Sequence, residues 1–452
     1  MRQSPNFTRI AFPSSTIGGR IFDASLNSTT PPIHPDRFPF FHQERSGFAW
    51  HDTAVETYLV RFLFYSLPDR SSATPVIKLA LVIPTLDRSG AEKQFTLLAT
   101  RLPRDEFDVH VIVLTQGGPY EQELNEAEIP VTIIGKRWKF DPAAFAHLRS
   151  KLRELHPDIV HTWLFAANAY GRLVGGARPP WQTIVSERCV DSWKAGWQLW
   201  LDKRLISRTD RLVGNSQSVA DFYQQQGFPA DRISVIPNGI ELPEQSRAGR
   251  DELLRELNLP PDAKLIGHVG RLARQKRVGD LLWAIQVLRQ ADERAYLLII
   301  GDGPERDALI QRAASLECAH HVRFLGHRSD VSKLMQLLDV YWLGSDFEGM
   351  SNSLMEAMAT GLPVVVTNIP PNRELVQHDR QGYLVDVGDG VGFAQFTTRL
   401  IQQEDLARRL GDAGRQRMSE EFSVDGMVQA YAALYRELCA KPQAAFRRTD
   451  SS

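Results

Sequence analysis

The sequence predicts an α/β protein built as two doubly wound halves, each a parallel sheet covered by helices on both faces, facing one another across a cleft. Three observations lead there. Short, wholly apolar strand-like runs alternate with amphipathic helix-like runs from residue 76 onward, the pattern of a parallel sheet buried on both sides. The alternation breaks at Pro237-Asn238-Gly239 and Pro243-Glu244-Gln245-Ser246, then restarts at residue 265. The chain's 452 residues also exceed what one core usually serves.

The elements follow in order. Residues 1–74 are rich in Pro, Ser, Thr and Phe, and only 55–67 has a helix-like apolar pattern. Such a segment buries too little apolar surface to offset its ordering entropy, so a poorly ordered extension is expected there. Lys78-Leu79-Ala80-Leu81-Val82-Ile83 reads as the first buried strand, and a polar turn leads into a helix over 91–102. Strands over 109–114, 131–134 and 159–161 alternate with helices near 119–127 and over 142–155; further strands are read at 211–213 and 233–236. The linker is placed near 240–248, before a charged helix over 250–257. The second series has strands at 265–270, 295–300, 322–325, 340–343 and 363–366, with helices over 279–290, 304–315, 332–338 and 353–360. A last helix from 424 places Met427, Tyr431, Leu434 and Leu438 at helical spacing. The expected organisation is thus an extension over 1–74, halves over 75–242 and 243–423, a helix over 424–440 packing back toward the first half, and a disordered tail over 441–452.

Composition narrows the function classes. The 53 basic and 54 acidic side chains leave a formal charge of -1, so there is no electrostatic footprint for nucleic acid. Cys189, Cys318 and Cys439 form no CxxC pair, which argues against a disulfide framework or a structural zinc and fits a reducing cytoplasm. No apolar run approaches the ~20 residues of a membrane span, and no signal-peptide pattern opens the chain. A soluble enzyme is the expectation, with contact at a membrane surface left open.

Ligands of open α/β sheets bind at the carboxyl edge of the strands. There the run Gly270-Arg271-Leu272-Ala273-Arg274-Gln275-Lys276 sets a glycine at a sharp turn and several cations beside it. Arg271 and Lys276 could neutralise a leaving diphosphate without a metal ion, although a solvated basic turn is the better reading of these residues alone. Gly301-Asp302-Gly303-Pro304 imitates the start of a dinucleotide fingerprint, but Arg306 takes the third glycine's place. A tight turn and close backbone approach to a ligand is the expected role of Gly303. In Thr85-Leu86-Asp87-Arg88-Ser89-Gly90, either Gly90 opens a helix N-terminus toward the cleft or Ser89 caps an ordinary turn. Glu348 and Glu356 flank Gly349-Met350-Ser351-Asn352-Ser353, where a helix should start near Ser351 or Asn352. Glu356, about one turn into that helix, could accept both hydroxyls of a vicinal diol, and Glu348 could do the same for a hexose. Two surface acids remain the competing reading.

The ordered motifs Ser-Gly-Ala-Glu (89–92), Pro-Asn-Gly-Ile (237–240), Gly-Arg to Gln-Lys (270–276), Gly-Asp-Gly-Pro (301–304), Phe-Leu-Gly-His (324–327), Glu-Gly-Met-Ser-Asn-Ser-Leu-Met-Glu-Ala-Met-Ala (348–359) and Gly-Leu-Pro-Val-Val (361–365) resemble the family 4 retaining glycosyltransferases of the GT-B fold. The resemblance spans about 76–440. It implies two Rossmann-like domains, an acceptor-side one over 75–242 and a nucleotide-sugar-binding one over 243–423. It also implies a nucleoside diphosphate sugar as donor, with uridine the favoured base, and a glycan or lipid-linked hydroxyl acceptor; no cofactor and no metal are expected. By position, Arg271 and Lys276 resemble the cations on the donor diphosphate. Glu356 resembles the ribose ligand, and Glu348 the donor-sugar ligand, with the main-chain N–H groups of Met350, Ser351, Asn352 and Ser353 nearby. Gly90 resembles the glycine that lets the first-half loop approach the phosphate.

Two departures stand out. Ser89 replaces the first glycine of the usual Gly-Gly-Ala-Glu turn. Where relatives carry His-x-His, this chain reads His161-Thr162-Trp163. The acceptor-side candidates are then His161, Trp163, Asn168 and Arg188, with His161 read more readily as a satisfied strand-end histidine than as a base. A stretch from Trp193 to Arg204 mixes tryptophans with basic residues. It fits either a membrane interface beside a lipid-linked acceptor or a helix with its aromatic face in the core. The resulting expectation is a cytoplasmic hexosyltransferase of polysaccharide or lipid-linked glycan synthesis. The rival readings are a non-catalytic nucleotide-sugar-binding subunit of a glycan assembly complex and a GT-B sugar-nucleotide epimerase.

Overall fold

The computed structural model describes residues 75–191 and 194–440. The expectations for 1–74, for 441–452 and for Trp193 lie outside the described residues. Among those described, the first half holds strands β1 (Ile77–Thr85), β2 (Phe107–Gln116), β3 (Val131–Ile133), β4 (Ile159–Trp163), β5 (Gln182–Glu187), β6 (Arg211–Gly214) and β7 (Ile233–Val235). They form one parallel sheet in the order β3-β2-β1-β4-β5-β6-β7. The second half holds β8 (Lys264–Val269), β9 (Ala295–Ile300), β10 (Val322–Gly326), β11 (Val340–Leu343), β12 (Val364–Thr367) and β13 (Gly382–Val385), also parallel, in the order β10-β9-β8-β11-β12-β13. Each order reverses once, at β1/β4 and at β8/β11. At such a switch point the flanking loops leave in opposite directions and open a crevice above the strand ends.

Local chemistry explains the element boundaries. Helix Pro142–Leu155 starts where Asp141 accepts the N–H groups of Ala143 and Ala144 and a proline fills the first helical position. It stops at His156 in a left-handed conformation, φ +45°. Helix Asn352–Ala359 starts one residue earlier than its apolar pattern indicates, because Ser351 accepts the N–H of Leu354. At Gly90–Arg101 the cap differs from expectation. The Ser89 hydroxyl donates to the buried Glu92 carboxylate and leaves the first-turn amides free. Glu92 also accepts from Thr85 at 3.1 Å, which ties the turn to the end of β1.

Helices Leu164–Val174, Gln217–Gln225, Pro370–Leu375, Gly390–Gln402 and Glu404–Glu421 and strand β13 complete the layers, and sequence reading did not resolve them. The last helix, Val424–Ala440, buries Met427, Tyr431, Leu434, Tyr435 and Leu438 in the same cluster as Phe107, Phe95 and Trp163 of the first half. The chain crosses from second half back to first beside the linker, where the Ile240 N–H donates to the Phe422 carbonyl at 2.8 Å. Both sheets belong to one compact unit.

Candidate active site

The cleft over the two switch points has a volume of about 1420 Å³ and is lined from both halves. On the second half, Arg271 follows β8 and is exposed, and Lys276 ends a short 3-10 turn just before helix Val278–Ala291. The Lys276 Nζ lies 2.6 Å from Glu348 Oε1, which also accepts the Ser345 hydroxyl at 2.7 Å. Glu348 sits in the loop after β11, its side chain only 9% exposed. Glu356 lies in the helix beyond and pairs with Lys93 of the first half at 2.5 Å. Each of the two carboxylates is thus paired with a cation, Glu348 with one from its own half and Glu356 with one from the first half.

Asn352 carries the seam between the halves. Its Nδ2 donates to the Gly90 carbonyl at 2.8 Å, and its Oδ1 accepts from Asn238 Nδ2 at 2.6 Å. Asn238 also donates to the Met350 carbonyl, while its own Oδ1 accepts from Arg188. Gln94 closes the seam with a reciprocal pair to Gly239, N–H to Oε1 at 2.8 Å and Nε2 to carbonyl at 2.9 Å. A Cβ on Gly90 would press on Asn352 Nδ2, so the glycine first serves close approach between the two halves. Gly349 does the same for the loop after β5, which crosses it with a Val190 N–H to Glu348 carbonyl bond of 3.2 Å.

Several expected site residues take other roles. A Cβ at Gly303 would strike the Leu272 carbonyl, so its freedom lets the 301–303 turn pack on the loop bearing Arg271 rather than on a ligand. The Met350 side chain packs in the second-half core, its Sδ accepting the Asn238 N–H at 3.3 Å, and its main-chain carbonyl accepts the Asn238 side-chain amide at 3.2 Å. Ser351 caps the helix, and the Ser353 hydroxyl bonds Tyr341 at 2.8 Å. Their side chains are occupied, while the first-turn amides remain without intrahelical partners.

The acceptor-side candidates mostly lie below the cleft floor. His161 is fully buried between the Tyr435 hydroxyl at 2.7 Å and the Ser186 hydroxyl at 2.8 Å. Asn168 is equally buried, its amide donating to the Ser186 carbonyl at 3.0 Å and the Glu187 carboxylate at 2.9 Å. Neither can touch a substrate. Trp163, at the end of a β4 two residues longer than expected, is covered by the Arg188 guanidinium 4.5 Å from its ring. Arg188 lines the cleft in its place. Lys93, Gln94 and Asn238 escaped sequence reasoning. Only Asn238 left a signal, as the polar residue of the Pro-Asn-Gly break.

Burial sets the protonation of groups beneath the site. It pushes the His161 imidazole down to about 3, helped by the Arg188 charge, and His268 on β8 down to about 4. Burial raises Glu187 to about 7, with Asp191 and Asp202 adding to the rise and Lys194 opposing it. The signs give a pH dependence. Each histidine is neutral when folded, so its contribution is whole above pH 6.5 and declines as pH falls toward its folded value. Glu187 keeps a proton that the unfolded chain releases above about pH 4.5, so its contribution shrinks as pH rises from there to about 7. Between pH 6.5 and about 4.5, unfolding takes up two protons at the histidines and releases one at Glu187. The net uptake of one proton on unfolding means that these three groups lower stability by on the order of 1 kcal/mol per unit of acidification. Urea midpoints across this window should show that slope, and His161→Gln should flatten it; an unchanged slope would place the titration elsewhere.

Comparison with known proteins supports the architecture. The family model described as glycosyl transferases group 1 matches residues 249–417, and that of glycosyltransferase family 4 matches residues 88–244. The chain is 29% identical over 234 residues to an N-acetyl-alpha-D-glucosaminyl L-malate synthase of Bacillus anthracis, covering 52% of this chain and 61% of that one. It is 30% identical over 234 residues to the lipopolysaccharide core biosynthesis glycosyltransferase LpsE of Rhizobium meliloti, covering 52% and 65%. The chain thus spans somewhat under two thirds of the length of these two relatives. Anabaena Alr3699/HepE, solved in complex with UDP-glucose, shares the fold with a TM-score of 0.72 at 22% identity, covering 80% of this chain and all of that one.

Proposed function

Since this chain belongs to the GT-B glycosyltransferases of the group 1 and family 4 type, we propose that it moves a hexose or N-acetylhexosamine from a nucleoside diphosphate sugar to a hydroxyl acceptor. The observation that carries the reading is the wall of Lys276, Glu348 and Glu356 at the β8/β11 switch point, faced by the Gly90 turn. Uridine is the favoured base, in keeping with the UDP-glucose complex of the Anabaena protein. The acceptor belongs to a surface polysaccharide or a lipid-linked glycan; the Rhizobium relative is named for lipopolysaccharide core biosynthesis.

In this reading the diphosphate takes Arg271 and Lys276, the ribose diol takes Glu356, and the transferred sugar takes Glu348. The glycosidic bond to the leaving phosphate breaks while the acceptor oxygen joins the same face of the sugar. The acceptor proton passes to the departing phosphate oxygen, so the anomeric configuration is retained without a protein nucleophile. Lys276 and Arg271 bear the charge that develops on the diphosphate, the task a metal performs elsewhere. Arg188, laid over Trp163, is a first-half cation lining the cleft.

Glu356→Gln should raise the dissociation constant of UDP about tenfold, because one charged hydrogen-bond acceptor of the ribose is lost. Isothermal titration measures this, and equal affinity would contradict the ribose role. Transfer is tested by UDP release from UDP-sugars offered glycan and lipid acceptors, with proton NMR of the product's anomeric centre. An inverted anomer would refute retention, and donor binding without any turnover would favour a non-catalytic subunit.

A further inference from the structure

Helix Gly196–Arg204 is arranged inside out for a helix facing water. The residue it buries most fully is Asp202, held by Arg172 at 2.5 Å and by Lys194 at 3.1 Å. Its tryptophans face outward instead, Trp197 48% and Trp200 60% exposed. A surface helix normally shows the opposite polarity. The core placement expected as one reading of these tryptophans is therefore corrected. An ionic network anchors the helix's inner side, and its aromatic side is left outside.

A second segment extends the same surface. The loop over 136–140 exposes Trp138 at 69% and Phe140 at 72%, and the Phe140 ring lies 6.4 Å from that of Trp197. The exposed charges of these two segments are Arg137, Lys139, Lys203 and Arg204, all positive; Asp141 and Asp202, the acids beside them, are buried. Arg204 lies 5.6 Å from the Trp200 ring. The patch adjoins the acceptor side of the cleft through Phe165, 5.7 Å from Trp197, whose neighbour Leu164 lines the cleft.

We propose that this aromatic and cationic surface docks the first half on an anionic phospholipid bilayer. Tryptophans carry an apolar body and a polar N–H suited to the headgroup boundary, and surrounding cations add attraction to anionic lipid. A water-soluble anionic partner would use the cations but has no need of four exposed rings, and an apolar protein partner has no need of an all-cationic rim. Among the described residues no helix is long and apolar enough to cross a membrane, so contact is peripheral. Where the acceptor is lipid-linked, a clause that rests on the transferase reading, docking here brings it to the open edge beside Arg188.

The test needs no turnover, so it stands or fails apart from the transferase reading. Full-length protein is floated with vesicles of phosphatidylcholine alone and of phosphatidylcholine with phosphatidylglycerol. Binding to the anionic vesicles with a blue shift of tryptophan emission is expected. Each cation near an anionic surface is worth about fivefold in partitioning. Lys203→Glu with Arg204→Glu should therefore lower it at least twentyfold, and Trp197→Ser with Trp200→Ser at least tenfold, at unchanged melting temperature. Wild-type protein that stays in solution, variants that float like wild type, or loss of a wild-type dimer in the variants without vesicle binding would each overturn the proposal.

Discussion

Replacing Lys276 by alanine is expected to lower the maximal rate of sugar transfer by about 10²–10³-fold while the dissociation constant of UDP changes far less. The asymmetry follows from where the charge develops. As the glycosidic bond breaks, negative charge grows on the phosphate oxygen nearest the sugar, and a fixed cation there interacts more strongly with the transition state than with the bound donor. Lys276 is suited to this because its ammonium is already ordered: Glu348 holds it at 2.6 Å, and Ser345 orders Glu348 in turn. Lys276→Arg should recover part of the rate, since the charge returns with a bulkier head. Steady-state kinetics with a near-saturating acceptor separate the terms. A fall confined to KM would mean uniform donor binding, and an unchanged rate would remove Lys276 from the chemistry. The melting temperature of each variant guards against a merely structural loss, because Glu348 is left without its cation.

Lys194→Ala is expected to cost about 3–5 kcal/mol of stability, the usual penalty for leaving buried charges without their partner. Its ammonium, 1% exposed, lies 2.9 Å from Asp191, 3.1 Å from Asp202 and 3.5 Å from Glu187, and it donates to the Tyr223 hydroxyl at 2.7 Å. Burial raises Glu187 to about 7, and among these residues three carboxylates share two cations, Lys194 and Arg172, so Asp191 and Asp202 add to the rise. Without Lys194 the acids can be relieved only by protonation. The variant should therefore be less destabilised at pH 5 than at pH 8, measured by urea denaturation. A loss independent of pH would mean that packing, rather than charge, dominates. The same cluster anchors helix Gly196–Arg204, so its failure should also disturb the exposed aromatic surface around Trp197 and Trp200.

Much of the second half was legible because its chemistry is local. Gly270 to Lys276 and Glu348 to Glu356 each lie within a strand, loop and helix whose apolar and capping patterns can be read directly, and Ser351 does cap the helix. Contacts between the halves were not legible. Lys93 and Glu356 are 263 residues apart, and neither residue type announces the other. Gln94 to Asn352 and Asn238 to Asn352 are of the same kind. Trp163 misled because a motif position indicates a neighbourhood but not a depth. Strand β4 runs on through it, and Arg188 from the end of β5 then covers the ring. Trp197 and Trp200 left two readings open because apolar side chains normally turn inward, and here Asp202 and Lys194 take the inner side. His161 was read in outline, a satisfied strand-end group, but its partner Tyr435 comes from the last helix.

The central claim is that the wall of Lys276, Glu348 and Glu356 holds a nucleoside diphosphate sugar. Thermal unfolding of the wild-type chain with UDP, GDP and ADP tests it most directly, because a ligand bound only by the folded state stabilises that state by about 2.7 kcal/mol at a hundred times its dissociation constant. One of these nucleotides, with UDP foremost, should raise the melting temperature by several degrees, and Glu356→Gln should shrink the rise at the same concentration. No rise with any of the three, or a rise untouched by Glu356→Gln, would contradict it.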